Sequence, residues 1–182
     1  MPEGSAIAIK LGEINYADNY TEAMQGLLRD FVTEKGLTPI YISITTPSSI
    51  VSKIFEAFDI KSEKIEFVDV VSSMMMSTSD EVRKNIIYVE SPTMLEYVML
   101  KTRYLIRKYT GKKIIVIIDS LNTLSIHNQY KTMIEFLHIF VNNLKSNGIY
   151  VVMLTMEGSE DKEKINDAIN LVCEESITVR EG

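Results

Sequence analysis

The residues best placed to do chemistry are Asp119 and Ser120, which directly follow the apolar run Ile114-Ile115-Val116-Ile117-Ile118. An unbroken β-branched run of this kind reads as a strand buried on both faces of a parallel sheet, and open α/β sheets bind ligands beyond the carboxyl ends of such strands. A carboxylate delivered there can help hold a magnesium ion beside phosphate groups. That chemistry needs a partner segment, a Gly-rich loop whose backbone N–H groups cradle phosphate, with a Lys for charge and a Ser or Thr hydroxyl for the metal. No segment of the chain fits G-x-x-x-x-G-K-[S/T], and the one Gly-Lys pair, Gly111-Lys112, precedes a strand pattern rather than opening a helix. The competing reading is structural: Asp119-Ser120 turns the chain and caps the next element, with Asn122 helping through an Asx-type turn.

Other catalytic arrangements are weaker. Ser120, His127 and Asp119 include the residue types of a hydrolytic triad, but they crowd together in sequence without a G-x-S-x-G elbow. His127 reads as a loop residue near the carboxyl end of the sheet, and His138 lies in a helical stripe with no second ligand at metal spacing. The single cysteine, Cys173, excludes an internal disulfide and sits in an apolar run, where it reads as a small core residue rather than a nucleophile.

The elements that must position these residues emerge from hydrophobic periodicity. Tyr20, Ala23, Met24, Leu27, Leu28, Phe31 and Val32 recur at helical spacing, with Asp18 or Asn19 as N-cap and Gly36 as the stop. Strands are expected at Ala6 to Leu11, Pro39 to Ile44, Ile65 to Val71, Asn85 to Val89, Lys113 to Ile118 and Ile149 to Leu154. Further helices are expected through Ile50 to Phe58, from Ser91-Pro92 through Ile106, and from Tyr130 through Leu144. Helix–Gly–strand junctions at Gly36, Gly111 and Gly148 point to βαβ units. The tail from Ile169 to Val179 reads as two short strands, a small C-terminal β-hairpin. Met74, Met75 and Met76 lie in the least regular stretch and read as a loop folding back over the sheet edge.

A chain of 182 residues, 46% hydrophobic, can fill one core, and with no linker composition it is expected to form a single domain over 1–182. The formal net charge of -6 argues against nucleic acid as a partner. Lys101, Arg103, Arg107, Lys108, Lys112 and Lys113 crowd one stretch, read as a solvated helix face with cations near a helix C-terminus. The chain has no apolar run of membrane-spanning length and no signal-like start, so it is expected to be soluble and cytoplasmic, without membrane contact.

From about Pro39 to Val179 the order of segments resembles the KaiC/RecA-like branch of the P-loop ATPase superfamily. IIVIIDSLNTL, Ile114 to Leu124, resembles its Walker B phrase; Tyr41 to Ile60 and Ile65 to Ser72 resemble its second strand, helix and next strand. Ser91 to Tyr109 and Phe136 to Gly158 share its helix and helix-to-strand character. The resemblance implies a mostly parallel β-sheet sandwiched between helices, with Asp119 and Ser120 at a cofactor-binding, Walker B position and Asp119 as metal ligand if Mg-nucleotide binds.

Two departures set this chain apart. Where the family has its Walker A loop, the chain runs Leu11-Gly12-Glu13-Ile14-Asn15-Tyr16-Ala17-Asp18-Asn19-Tyr20-Thr21, with one glycine and two acids. Thr45-Thr46 occupies the place of a glutamate pair, one of which acts in the family as general base, and a threonine hydroxyl cannot take a proton from water in that role. The resulting expectation is a degenerate, non-catalytic member with no cofactor, regulating or assembling through protein contact with itself or with an active KaiC-like homologue. The alternatives are an Mg-ATP-binding or hydrolysing protein with a divergent phosphate loop, charged by Lys10 or by a neighbouring subunit's lysine, and a nucleic-acid module.

Overall fold

In a computed structural model, residues 1–74, 84–158 and 161–180 are described. The β-branched runs form β1 (Ala6–Leu11), β2 (Thr38–Ser43), β3 (Glu66–Asp69), β4 (Ile86–Tyr88), β5 (Ile114–Asp119), β6 (Tyr150–Met156) and β7 (Glu175–Val179). They make one sheet in the order β4-β3-β2-β5-β6-β1-β7, and every pairing is parallel. The Ile114 run is the middle strand, with Ser43 of β2 opposite Asp119 and Met153 of β6 opposite Ile118.

Strand parity decides which layer each side chain meets. Ile7, Ile9, Leu11, Tyr41, Ile115, Ile117, Val152 and Leu154 form one core with the first helical layer. That layer holds α1 (Tyr16–Met24), a π-helical continuation Gln25–Phe31, α2 (Val32–Lys35) and α3 (Ser48–Ala57). Ala8, Ile40, Ile42, Val116, Ile118, Val151 and Met153 face the opposite core. There α4 (Leu95–Lys108), α5 (Leu121–His127), α6 (Tyr130–Ser146) and α7 (Lys162–Val172) pack. Asp119 therefore falls on the α1 and α3 side, and Lys10 on the α7 side.

Four sequence expectations are corrected. The first helix opens at Tyr16 behind Asn15, which adopts a left-handed conformation at φ 55 and ψ 39; Asp18 and Asn19 lie inside the helix, and Asn19 is buried because the preceding loop uses its amide. Ser91-Pro92 forms a turn, and α4 starts only at Leu95, where the buried spacing Leu95, Val98, Thr102, Leu105 begins. The C-terminal hairpin is absent: Ile165, Ala168, Ile169 and Val172 bury one face of α7, and a single strand, β7, comes after it in parallel pairing with β1. The short run Ile169 to Cys173 carries no periodicity that separates strand from helix; the earlier Ile165 and Ala168 supply it. His127 is the last residue of α5 rather than a loop residue. Cys173 packs half-buried against the core. Met74 is half exposed, and Met75 and Met76 lie outside the described residues. Among the described residues no helix is long and apolar enough to cross a membrane.

Candidate functional site

The central strand delivers Asp119 to the carboxyl edge of the sheet, only 4% exposed. Tyr41, from the neighbouring β2, shares its strand parity and reaches the same point, where its hydroxyl donates to Asp119 Oδ2. Tyr20, one turn inside the first helical layer, adds its own hydroxyl 2.8 Å from that of Tyr41. Burial pushes the Asp119 carboxyl up to about 6, while the hydroxyls of Tyr41 and Tyr20 pull it back down. The tyrosines move in consequence: burial first and the Asp119 charge second push Tyr16 up to about 12, and the same two causes raise Tyr20 and Tyr41 well above the usual phenol range.

The connection from β1 into α1 stands where a phosphate loop would lie, and it is tied down by its own side chains. The Asn19 amide donates to the carbonyls of Gly12 at 3.0 Å and Ile14 at 2.8 Å. The Gly12 N–H, which a phosphate cradle would aim at ligand, donates instead to the Val179 carbonyl at 2.9 Å. Glu13 packs on Gly158, whose φ of +88 suits glycine and where a Cβ would collide with the Glu13 carboxylate. The loop thus presents an acid and an apolar Ile14 that is 83% exposed, in place of converging N–H donors.

Between α1 and α3 lies a cavity of about 340 Å³, lined by Asp119, by Tyr16, Tyr20, Ile54 and Phe58, and by Thr45 and Thr46. The Tyr16 and Tyr20 rings stack with centroids 6.2 Å apart. Thr45 Oγ1 lies 3.2 Å from Ser120 Oγ and 2.8 Å from Thr123 Oγ1, so these hydroxyls satisfy one another. Among the described residues, no Lys, Arg or His lines the cavity.

The other sequence candidates separate from this centre. Ser120 precedes α5 in extended conformation and makes no side-chain cap bond; the Asp119–Ser120 peptide is cis. Asn122 does not form the expected local turn: its Oδ1 accepts from Thr155 Oγ1 at 2.9 Å and from the Met156 N–H at 2.8 Å, clamping the end of β6. Lys10 cannot supply charge at Asp119, because it lies on the opposite face of the sheet with its Nζ 2.9 Å from Asn166 Oδ1. No cluster of three potential metal ligands occurs among the described residues.

Sequence reasoning missed Tyr16, Tyr20 and Tyr41, and also Asp69, which ends β3 as Asp119 ends β5. The available signals were the one-turn spacing of Tyr16 and Tyr20, and a second strand pattern, Ile65-Glu66-Phe67-Val68, also ending in Asp.

The parallel sheet order, with helices on both faces and the carboxylate at the end of the central strand, defines a KaiC/RecA-like α/β fold. No protein-family model matches the chain, and no curated protein matches it by sequence. Solved structures do match. The KaiC-like protein PH0186 of Pyrococcus horikoshii OT3 aligns with 100% of this chain and 74% of its own, at TM-score 0.64 and 13% identity. The uncharacterized protein PH0321 of P. horikoshii, solved in complex with an unknown peptide, aligns with 100% of this chain and 80% of its own, at TM-score 0.69 and 13% identity. These likenesses concern the fold.

Proposed function

We propose that this chain is a non-catalytic KaiC/RecA-like domain that regulates or assembles through protein contact, without nucleotide. The observation that carries the reading is the Tyr41 hydroxyl on the Asp119 carboxylate, with Tyr20 behind it, so that the carboxylate the resemblance would give to magnesium is already bonded by phenols. The residues do not fit Mg-ATP: the loop after β1 spends its Gly12 N–H on Val179, Lys10 is on the other face, and among the described residues no cation lines the cavity to meet a triphosphate.

Two sheet edges support assembly with a second copy, head to tail. Along the β4 edge, α4 exposes Tyr97, Leu100 and Tyr104, and Lys101, Arg103 and Arg107 line a groove of about 540 Å³ with Leu100, Tyr104 and Ile87. At the opposite edge, β7 presents Glu175 and the exposed Ile177, with Leu171 nearby and Glu174 just before the strand, its carboxylate paired with Lys145 and accepting from the Ala6 N–H. A basic apolar edge and an acidic apolar edge on one acidic chain are complementary, and a heterologous contact of this type builds rings or filaments. PH0321 was solved with a peptide, which is consistent with a fold that takes polypeptide partners.

Calorimetry with Mg·ATP tests the first half. No binding heat is expected; micromolar binding that disappears in Asp119→Asn, accompanied by turnover, overturns it. Sedimentation velocity tests the second. Concentration-dependent association that weakens with salt and is lost in Leu100→Glu is expected, and a monomer up to about 100 µM, the weak limit for transient assemblies, overturns it.

A further inference from the structure

The cavity over Asp119 has a chemical character of its own. A carboxylate taken out of water demands compensation, and here it comes from phenolic hydroxyls alone: among the described residues no Lys, Arg or His lines the cavity. The walls are aromatic and aliphatic, with Tyr16 and Tyr20 stacked at an interplanar angle of 28° and Phe58 completing the wall. An anionic ligand would meet Asp119 with no counter-charge, and a purely apolar one would cover the carboxylate without pairing it. A cation on an apolar body satisfies both surfaces, since the carboxylate takes the charge and the electron-rich ring faces attract it. The size, about 340 Å³, is at the small end of ligand pockets.

We propose that this cavity binds a small organic ammonium, a primary or methylated amine carried on a short aromatic or aliphatic body. The amine pairs with Asp119, the rings of Tyr16, Tyr20 and Phe58 surround it, and the body lies along Ile54 toward the opening. The inference rests on the reading that no nucleotide occupies the site. It would give the chain a ligand to respond to, bound between α1 and α3.

Three ligands with one phenylethyl body, 2-phenylethylamine, 2-phenylethanol and 3-phenylpropionate, provide the test when titrated into the full chain and followed by tyrosine ring chemical shifts. The amine is expected to bind about tenfold or more tighter than the alcohol, with the acid silent, a preference typical of a desolvated cation beside aromatic rings. Asp119→Asn should bring amine and alcohol within about twofold of each other, because only the charge-dependent part is lost. Tyr16→Leu, which keeps an apolar wall and leaves the carboxylate in place, should weaken the amine severalfold and leave the alcohol unchanged, so the proposal stays testable even if Asp119→Asn does not fold. Equal binding of amine and alcohol, or silence of all three up to about 10 mM, overturns the proposal. Adding Mg·ATP separates the two readings: amine binding that Mg·ATP displaces overturns the nucleotide-free reading while the ammonium preference stands, whereas silence of both ligands overturns the ammonium site alone.

Discussion

Two aspartates end parallel strands on the same face of the sheet, with β2 between them, and they have opposite environments. Asp69, at the end of β3, is fully buried and accepts four hydrogen bonds: from the N–H of Ser48 at 2.7 Å, Val71 at 3.1 Å and Ser72 at 2.9 Å, and from Ser72 Oγ at 2.6 Å. Ser48 is the first residue of α3, so Asp69 fixes that helix by its N-terminus, where the exposed backbone donors and the helix dipole favour a negative charge. Asp119 accepts from tyrosine side chains and faces a cavity. A carboxylate surrounded by backbone donors is part of the framework. One that, among the described residues, meets side-chain hydroxyls and lies beside a cavity is the one the proposed ligand site uses.

The comparison can be broken by substitution, and the largest effect belongs to Asp69. Asp69→Ala leaves three backbone N–H groups and a hydroxyl without their acceptor in the interior and should destabilise the fold by about 3–5 kcal/mol in urea unfolding, the cost of dismantling a buried hydrogen-bonded charge. A loss below about 1 kcal/mol would place Asp69 in the same class as Asp119.

The next effect is a pH dependence at Asp119. Its carboxyl binds a proton more tightly when folded, at about 6, than at its ordinary 3.8, because burial penalises the charged form. Its stabilising contribution is thus fully present below the ordinary value and is lost as pH rises through about 6. Asp119→Asn removes this limb. The variant's unfolding free energy relative to the native protein should rise by on the order of 2 kcal/mol between about pH 4 and pH 7. A flat difference would show that the carboxylate is not penalised by its surroundings.

Tyr41→Phe should cost about 1–2 kcal/mol near neutral pH by removing a donor to a charged acceptor, and less in acid, where Asp119 is protonated. Unfolding measured at both pH values checks it; equal losses would detach the Tyr41 hydroxyl from the charge of Asp119. The smallest effect is expected at Ser52, whose Oγ is buried with no partner among the described residues. Ser52→Ala should change stability by no more than about 0.5 kcal/mol, in the stabilising direction, because a methyl group asks for no hydrogen bond there. A loss well beyond that would mean the hydroxyl has an acceptor in solution, and that polar satisfaction near Asp69 extends into α3.

Much of the framework was legible from periodicity. Ile114 to Ile118 announced a fully buried strand because its β-branched residues show no alternation, and it is the central strand. Of the helical stripe Tyr130, Met133, Ile134, Leu137, Phe140, Val141 and Leu144, all are buried except Tyr130, which is exposed, and Ile134, which is partly buried. The errors fell where local signals compete. Ser91-Pro92 carries helix-start chemistry yet remains a turn, since the buried stripe it would have to serve begins only at Leu95. At the tail, Ile169 to Cys173 is too short to choose between periods, and packing of α7 chose.

The site divides in the same way. Sequence alone determined that a carboxylate ends an apolar strand, that the segment after β1 lacks glycines and lysine, and that threonines stand at Thr45 and Thr46, because each of these is a matter of residue identity at a position. Only the tertiary structure decided what Asp119 touches. Tyr41 is 78 residues away in the chain, and it arrives through the β2–β5 register, while Tyr16 and Tyr20 arrive through the packing of α1 over the same face. Contacts between distant segments depend on strand order and on which layer covers which face, and neither is written in the local pattern of any one segment.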